Sequence, residues 1–443
     1  MTLGGGKERS MYRKALETLK TWKNASSRKP LIIEGARQVG KTWLMKTFGS
    51  QAYAHCVYIN FDDNRVMQEL FRQDLNPERI IRGLELYTDQ KIVPETTLII
   101  FDEVQEVPRA LSSLKYFCEQ APQYPIVAAG SLLGIALHQG TSFPVGKVEF
   151  LRLYPMNFNE FLRAIGKEQL ADMLDEGDDS MMHAFGSLCK DLLKQYYVVG
   201  GMPEAVSTYV ANQNFKDVQK VQDNILRAYE HDFSKHAPND IVPKISMVWN
   251  SIPSQLAREN NRFLYGIVRE GGRAREFETA IAWLHDCGLI HKLYRSTHPS
   301  IPLKHSLDLK TFKIFMNDVG LLARLSGLHP EILLHGNDLF TEYKGALTEQ
   351  YVMQELVCLS GIQVGYYTNA RSTAEIDFLV DTGKNVLPLE VKASTNLKAK
   401  SLKTYIDKFN PPLAIRSSMA DFRCEKTILN LPLFAVGCFK AYI

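Results

Sequence analysis

The chain has 443 residues, 45% hydrophobic and 23% charged, with a net charge of +3; it admits two or three domains with real cores and excludes a disordered or fibrous chain. No apolar run approaches the roughly 18 residues that span a bilayer, and the opening Met-Thr-Leu-Gly-Gly-Gly-Lys has no signal-peptide core. Seven scattered cysteines without a C-x-x-C pair argue for reduced thiols and against zinc, so a cytoplasmic protein without membrane association is expected.

Residues 11–24 have helical spacing with a basic outer face. The apolar strand Leu31–Ile33 then runs into Gly35-Ala-Arg-Gln-Val-Gly-Lys-Thr42, which satisfies G-x-x-x-x-G-K-[ST], and the helical run Trp43–Phe48 follows. Glycines let backbone N–H groups curl around phosphates, Lys41 offers a point charge, and Thr42 opens a helix whose N-terminus favours anions. Nucleotide contact is therefore expected from Gly35, Ala36, Arg37, Gln38, Val39, Gly40, Lys41, Thr42 and Trp43, with the Thr42 hydroxyl on Mg²⁺. A plain glycine turn is the bland alternative.

Strand-like runs at 30–34, 55–61, 97–102, 125–130 and 148–153 alternate with helix-length segments, which implies an α/β parallel sheet with helices on both faces. The run Thr96–Phe101 ends in Asp102-Glu103. An acid pair at the carboxyl end of a buried strand suits Mg²⁺ binding by Asp102 and activation of the attacking water by Glu103. If another strand separates the two, Ser131, after Pro125-Ile-Val-Ala-Ala-Gly, would lie beside the γ-phosphate as a sensor.

The acidic stretch Asp172–Ser180 reads as an exposed loop, and residues 183–236 read as helical with an interruption at Val199-Gly-Gly-Met-Pro203. Short helices over 243–287 closed by a strand at 289–294 suggest a winged-helix unit, which either binds DNA or packs domains.

The helical segment Lys344–Leu356 carries Glu349, Ala374–Val380 holds Asp377 inside a strand, and Val386–Lys392 places Glu390 and Lys392 two apart on one face. Asp377 and Glu390 from neighbouring strands can make an oxygen site for Mg²⁺ or Mn²⁺. Lys392 could then orient a water and stabilise charge on an attacked phosphate. A helix over 396–409 with Lys398, Lys400, Lys403 and Lys408 and a strand near 413–416 complete a restriction-endonuclease-like order. Pro388 implies an edge or distorted strand. The alternative is a degenerate core in which Glu390 and Lys392 form a near-neighbour ion pair.

Taken together with Phe101-Asp-Glu-Val-Gln105, Ala129-Gly-Ser131, Leu153-Tyr-Pro-Met-Asn-Phe158, Gly200-Gly-Met-Pro-Glu-Ala205, Lys313–Leu321 and Pro388-Leu-Glu-Val-Lys392, the chain resembles a bacterial and archaeal family of AAA+-type ATPases. In that family the ATPase is fused to a C-terminal domain of unknown function with a PD-(D/E)xK-like core. The resemblance implies an N-terminal helix at 1–27, an ATPase core at 28–165, a helical lid at 166–240, a winged-helix-like segment at 241–300 and a nuclease-like domain at 301–443. It also implies ATP and Mg²⁺ as cofactors, DNA as partner, homo-oligomerisation, and catalytic roles for Lys41, Glu103, Ser131, Glu349, Asp377, Glu390 and Lys392. Members usually carry Gly-Arg shortly before the Leu-x-Pro segment, where this chain has Gly146-Lys147. Lys147 or Arg152 would have to act in place of an arginine finger. The expected function is an ATP-hydrolysing switch or motor acting on DNA with a metal-dependent nuclease effector; alternatively, the C-terminal domain only binds nucleic acid or a protein partner.

Overall fold

The computed structural model describes residues 11–130, 144–258, 262–335, 341–369, 374–395 and 399–442. The chain forms two compact units, one made of Arg13–Tyr154 with Asp286–Gly288, the other of the remaining residues.

In the first unit, strands β1 (Leu31–Glu34), β2 (His55–Asn60), β3 (Thr97–Asp102), β4 (Ile126–Ala129) and β5 (Glu149–Arg152) form one sheet. Its order is β2-β3-β4-β1-β5 and every neighbouring pair is parallel. Strands β3 and β4 are buried at every residue, as continuous Ile, Leu, Phe and Ala runs require when helices cover both faces. Phe61, Phe71 and Phe101 meet edge to face with centroids 5.2–5.9 Å apart, each contact contributing about 1 kcal/mol beyond its area. Strand β4 separates β1 from β3, and the loop after β1 and the acids at the end of β3 lie at the same end of the parallel sheet.

The N-terminal helix, Ala15–Lys23, is not a separate element: Leu16, Leu19 and Trp22 are buried, and Trp22 Nε1 donates to Lys29 O at 2.8 Å. The compact unit ends at Tyr154. Beyond it, Phe158 and Phe161 pack on Tyr196 at 5.6 and 5.3 Å and belong to the other core.

The second unit begins with helices Phe158–Ala164, Glu168–Glu176, Asp179–Val199, Pro203–Asn212 and Phe215–His236. The acidic stretch 172–180 is therefore largely helical rather than an exposed loop. Its charges occupy the outer face, Arg163 reaching both Asp172 (2.7 Å) and Asp175 (2.9 Å), while Met173 and Leu174 are buried. Asp178 caps the next helix by accepting from Met181 N.

Helices Val242–Leu256, Tyr265–Val268 and Ala274–Asp286 precede strands β6 (Ile290–Ser296) and β7 (Leu307–Met316). Those strands form an antiparallel hairpin, and β6 also pairs in parallel with β8 (Gln363–Thr368). A boundary at residue 300 would cut this hairpin in two. The sheet continues through β9 (Glu375–Asp381), β10 (Val386–Lys392), β11 (Ala414–Ser418), β12 (Arg423–Glu425) and β13 (Ile428–Pro432). Its order is β12-β13-β11-β10-β9-β8-β6-β7. Strand β10 is central, not an edge, despite Pro388. Pro388 pairs with Leu379 on β9, and the ladder to β11 begins only at Leu389, one residue past the missing N–H. Among the described residues the fold is thus α/β, a five-stranded parallel sheet and a mixed sheet of eight strands.

Candidate nucleotide and metal sites

The loop after β1 is built by backbone conformations that glycine allows. Gly35 has φ +149°, and a Cβ there would sit 2.2 Å from Leu153 O; Gly40 caps the next helix at φ +93°. The buried Arg13 guanidinium fixes this loop from below, donating to Val39 O at 2.9 Å and Tyr154 O at 2.6 Å. Lys41 opens the helix Lys41–Ala52, and its Nζ turns back to donate to Gly35 O and Ala36 O, both at 2.8 Å. Burial pushes this ammonium down to about 8, although the Glu103 and Asp102 carboxylates favour its charge. A phosphate entering the cradle would take over the role of those carbonyls.

Asp102 ends β3, only 3% exposed. Its Oδ2 accepts from Thr42 Oγ1 at 2.6 Å and from Tyr58 OH at 2.9 Å, and its Oδ1 from Glu103 N at 3.1 Å. Glu103 lies in the left-handed region (φ 52°, ψ 43°), a conformation that costs a non-glycine residue on the order of 1 kcal/mol. Its Oε2 accepts from Gln105 Nε2 at 2.7 Å. The structure thus brings together Lys41, Thr42, Asp102 and Glu103. A hydroxyl and a carboxylate 2.6 Å apart beside an anion cradle form an oxygen pair suited to Mg²⁺. Ser131 lies outside the described residues. Lys147 pairs with Glu119 at 2.9 Å, and Arg152, exposed at the end of edge strand β5, lies over the Tyr154 ring.

The second unit holds a cluster of opposite charges. Strands β9 and β10 pair with Leu389 opposite Phe378, a register that runs on toward Glu390 and Asp377. Asp377 Oδ2 accepts from Val391 N at 2.7 Å, and Lys392 Nζ pairs with Glu390 Oε1 at 2.7 Å. Glu390 is 3% exposed, and its Oε2 is buried without a hydrogen-bond partner. Burial raises the Asp377 carboxyl well above its ordinary value, Glu349 adding to the rise and Lys313 opposing it. Lys392 is held above its ordinary value although burial opposes this, because Glu390, Asp377 and Glu349 face it.

Glu349 comes from the helix Thr341–Val357 and meets Lys313 Nζ at 3.3 Å; Glu375 meets the same ammonium at 2.6 Å. Strand β7 delivers this lysine against the other strands, with Lys313 over the Tyr366 ring and Phe315 on Phe378. Among the described residues, no group of three or more acids, histidines or cysteines is disposed around a metal position. Two acids, Asp377 and Glu390, remain outside the Lys313 pairs.

Sequence reasoning missed Arg13, Tyr58, Gln105, Lys313 and Glu375. Only Lys313 left a signal: a lysine between Phe312 and Ile314 in an apolar run is costly to bury unless paired. Arg13, Tyr58 and Glu375 gain their roles from tertiary neighbours, whereas Gln105 acts on Glu103 two residues before it.

Among protein families, an AAA domain matches residues 27–162, and two domains of unknown function, DUF8612 and DUF4143, match residues 190–332 and 344–434. Residues 27–162 are therefore an AAA-type P-loop ATPase domain. No curated protein sequence matches the chain. Among solved structures, the Walker-type ATPase PABY2304 of Pyrococcus abyssi matches with a TM-score of 0.44 and 14% identity, over 72% of this chain and 97% of that one. The Aeropyrum pernix Orc1 protein in complex with DNA matches with a TM-score of 0.28 and 14% identity, over 71% and 90%. Cdc6p from Pyrobaculum aerophilum gives 0.26 and 14%, over 74% and 96%. Among the described residues no helix is long and apolar enough to cross a membrane.

Proposed function

We propose that the chain is an ATP-hydrolysing switch acting on DNA, with a C-terminal nuclease-type metal site as effector. The carrying observation is the convergence of the Lys41 ammonium, the Thr42 hydroxyl and the Asp102 carboxylate at the carboxyl end of a parallel sheet. In this reading Lys41 leaves the Gly35 and Ala36 carbonyls for the β- and γ-phosphates, and Thr42 and Asp102 hold Mg²⁺, which supplies charge neutralisation on the phosphate oxygens. Glu103, released from Gln105, accepts the proton of the attacking water. A second copy brings Lys147 or Arg152 to the developing charge, which makes the active form a homo-oligomer.

In the second unit, Asp377 and Glu390 suit a divalent cation because Mg²⁺ is commonly bound through one or two carboxylates with water and phosphate oxygens completing the shell. The unpartnered Glu390 Oε2 fits that demand. Lys392 then faces the phosphate. The exposed Lys400 and Lys403, on the helix Lys400–Phe409 that follows β10, suit a nucleic-acid backbone. A second reading, a C-terminal domain that only binds its partner, is favoured by Lys313, whose ammonium already engages Glu349 and Glu375.

The test is plasmid nicking and ATP turnover by the purified full chain with Mg²⁺ or Mn²⁺, on circular, linear and single-stranded DNA. Metal-dependent nicking lost in Asp377→Asn supports the effector reading. Intact DNA throughout, with turnover still stimulated by DNA, promotes the binding reading; turnover indifferent to DNA removes both.

A further inference from the structure

Glu349 and Glu375 reach the Lys313 ammonium from different elements, and that ammonium is 1% exposed. Glu390 and Lys392 form a second pair beside it, and Asp377 lies against β10 through its bond to Val391 N. Two of these four carboxylates are thus tied to the buried Lys313 ammonium and a third to Lys392. Sites that hold two metals set them about 3.5–4 Å apart and share carboxylates between them. Here the acids that could serve a second ion, Glu349 and Glu375, are already engaged by a cation built into the chain.

We propose that the C-terminal cluster takes a single divalent cation, with the Lys313 ammonium standing where a second would bind. This rests on the reading of Asp377 and Glu390 as a metal site. Lys313 is a positioning residue: it fixes the Glu349 and Glu375 carboxylates and denies them to metal. The single ion is left to Asp377 and the unpartnered Glu390 Oε2. A lysine is suited to this place because it is a compact charge with three donors, enough to serve two carboxylates at once.

The test counts bound Mn²⁺ by the electron paramagnetic resonance of the free ion, using nucleotide-free full-length protein. Asp377→Asn serves as the blank for ions held elsewhere. Wild type is expected to hold one ion more than Asp377→Asn. Lys313→Met should hold one ion more than wild type, and Lys313→Arg, which keeps the charge, the same number as wild type. Two Asp377-dependent ions in wild type, or an unchanged count in Lys313→Met, would overturn the role of Lys313 while leaving the metal site standing. Equal counts in wild type and Asp377→Asn would instead overturn the metal site itself and this inference with it. Should Lys313→Met fail to fold, the wild-type count alone decides: one ion supports the proposal and two contradict it.

Discussion

The phenol of Tyr58 donates to Asp102 Oδ2 at 2.9 Å, so the acid that ends β3 is tied to the neighbouring strand β2 as well as to Thr42. A carboxylate with two fixed donors on one oxygen presents its geometry before any ligand arrives. Removing one hydrogen bond to a charged group costs about 1.5 kcal/mol or more. Tyr58→Phe is therefore expected to raise the Mg²⁺ concentration for half-maximal ATP turnover by about tenfold, with nucleotide affinity in EDTA unchanged. A parallel loss of metal-free nucleotide binding would show that Tyr58 merely supports the fold.

Lys41 supplies a pH signature. Burial holds its ammonium near 8, and a bound phosphate favours the protonated form. Nucleotide binding above that pH therefore takes up a proton, and affinity should fall as pH rises past about 8. The limiting slope is about tenfold per pH unit. Lys41→Arg, which keeps its charge, should bind more weakly but lose that slope. Calorimetry in buffers of different ionisation enthalpy reads the proton directly.

Gly35 is intolerant for a local reason. A Cβ would lie 2.2 Å from the Leu153 carbonyl oxygen, a backbone atom that cannot rotate away. Gly35→Ala is expected to lose nucleotide binding and on the order of 3 kcal/mol of stability, the scale of severe steric strain. Unchanged melting and binding would contradict the described loop.

How much of this could be read in advance varied with how local the cause was. The phosphate loop and Asp102-Glu103 are contiguous in sequence, so residue types and flanking strands were enough to identify them. Glu349, Asp377, Glu390 and Lys392 lie on three separate elements, and only the spacing of the last two is a sequence pattern. Lys313 is on a hairpin that the sequence divides between two domains, since nothing local says that β6 will pair with β8. The stretch 172–180 misleads because its acids dominate the composition while two apolar residues, Met173 and Leu174, decide its packing.

Glu355 is a buried acid with an uneven environment. Its Oε1 accepts from Phe158 N at 2.8 Å, and its Oε2 is buried without a hydrogen-bond partner. Burial raises its carboxyl from 4.5 to about 8, the Phe158 bond opposing the rise and Glu160 adding to it. A folded value above the unfolded one means the folded state holds the proton more tightly. That stability is present below about 4.5 and is lost as pH rises to about 8, by up to about 1.4 kcal/mol per unit. Glu355→Gln removes this dependence, so its urea midpoint relative to wild type should improve steadily between pH 5 and 8. A constant difference across that range would refute the assignment.

In the proposed cycle Lys41 binds the nucleotide and Glu103 acts on water. Single-turnover hydrolysis alongside nucleotide affinity in Lys41→Ala and Glu103→Gln separates the two most directly. Lys41→Ala is expected to lose affinity, whereas Glu103→Gln should bind ATP as wild type does and hydrolyse it at least about a hundredfold more slowly, the scale of a lost general base. Equal loss of affinity in both variants, or wild-type hydrolysis by Glu103→Gln, would contradict it.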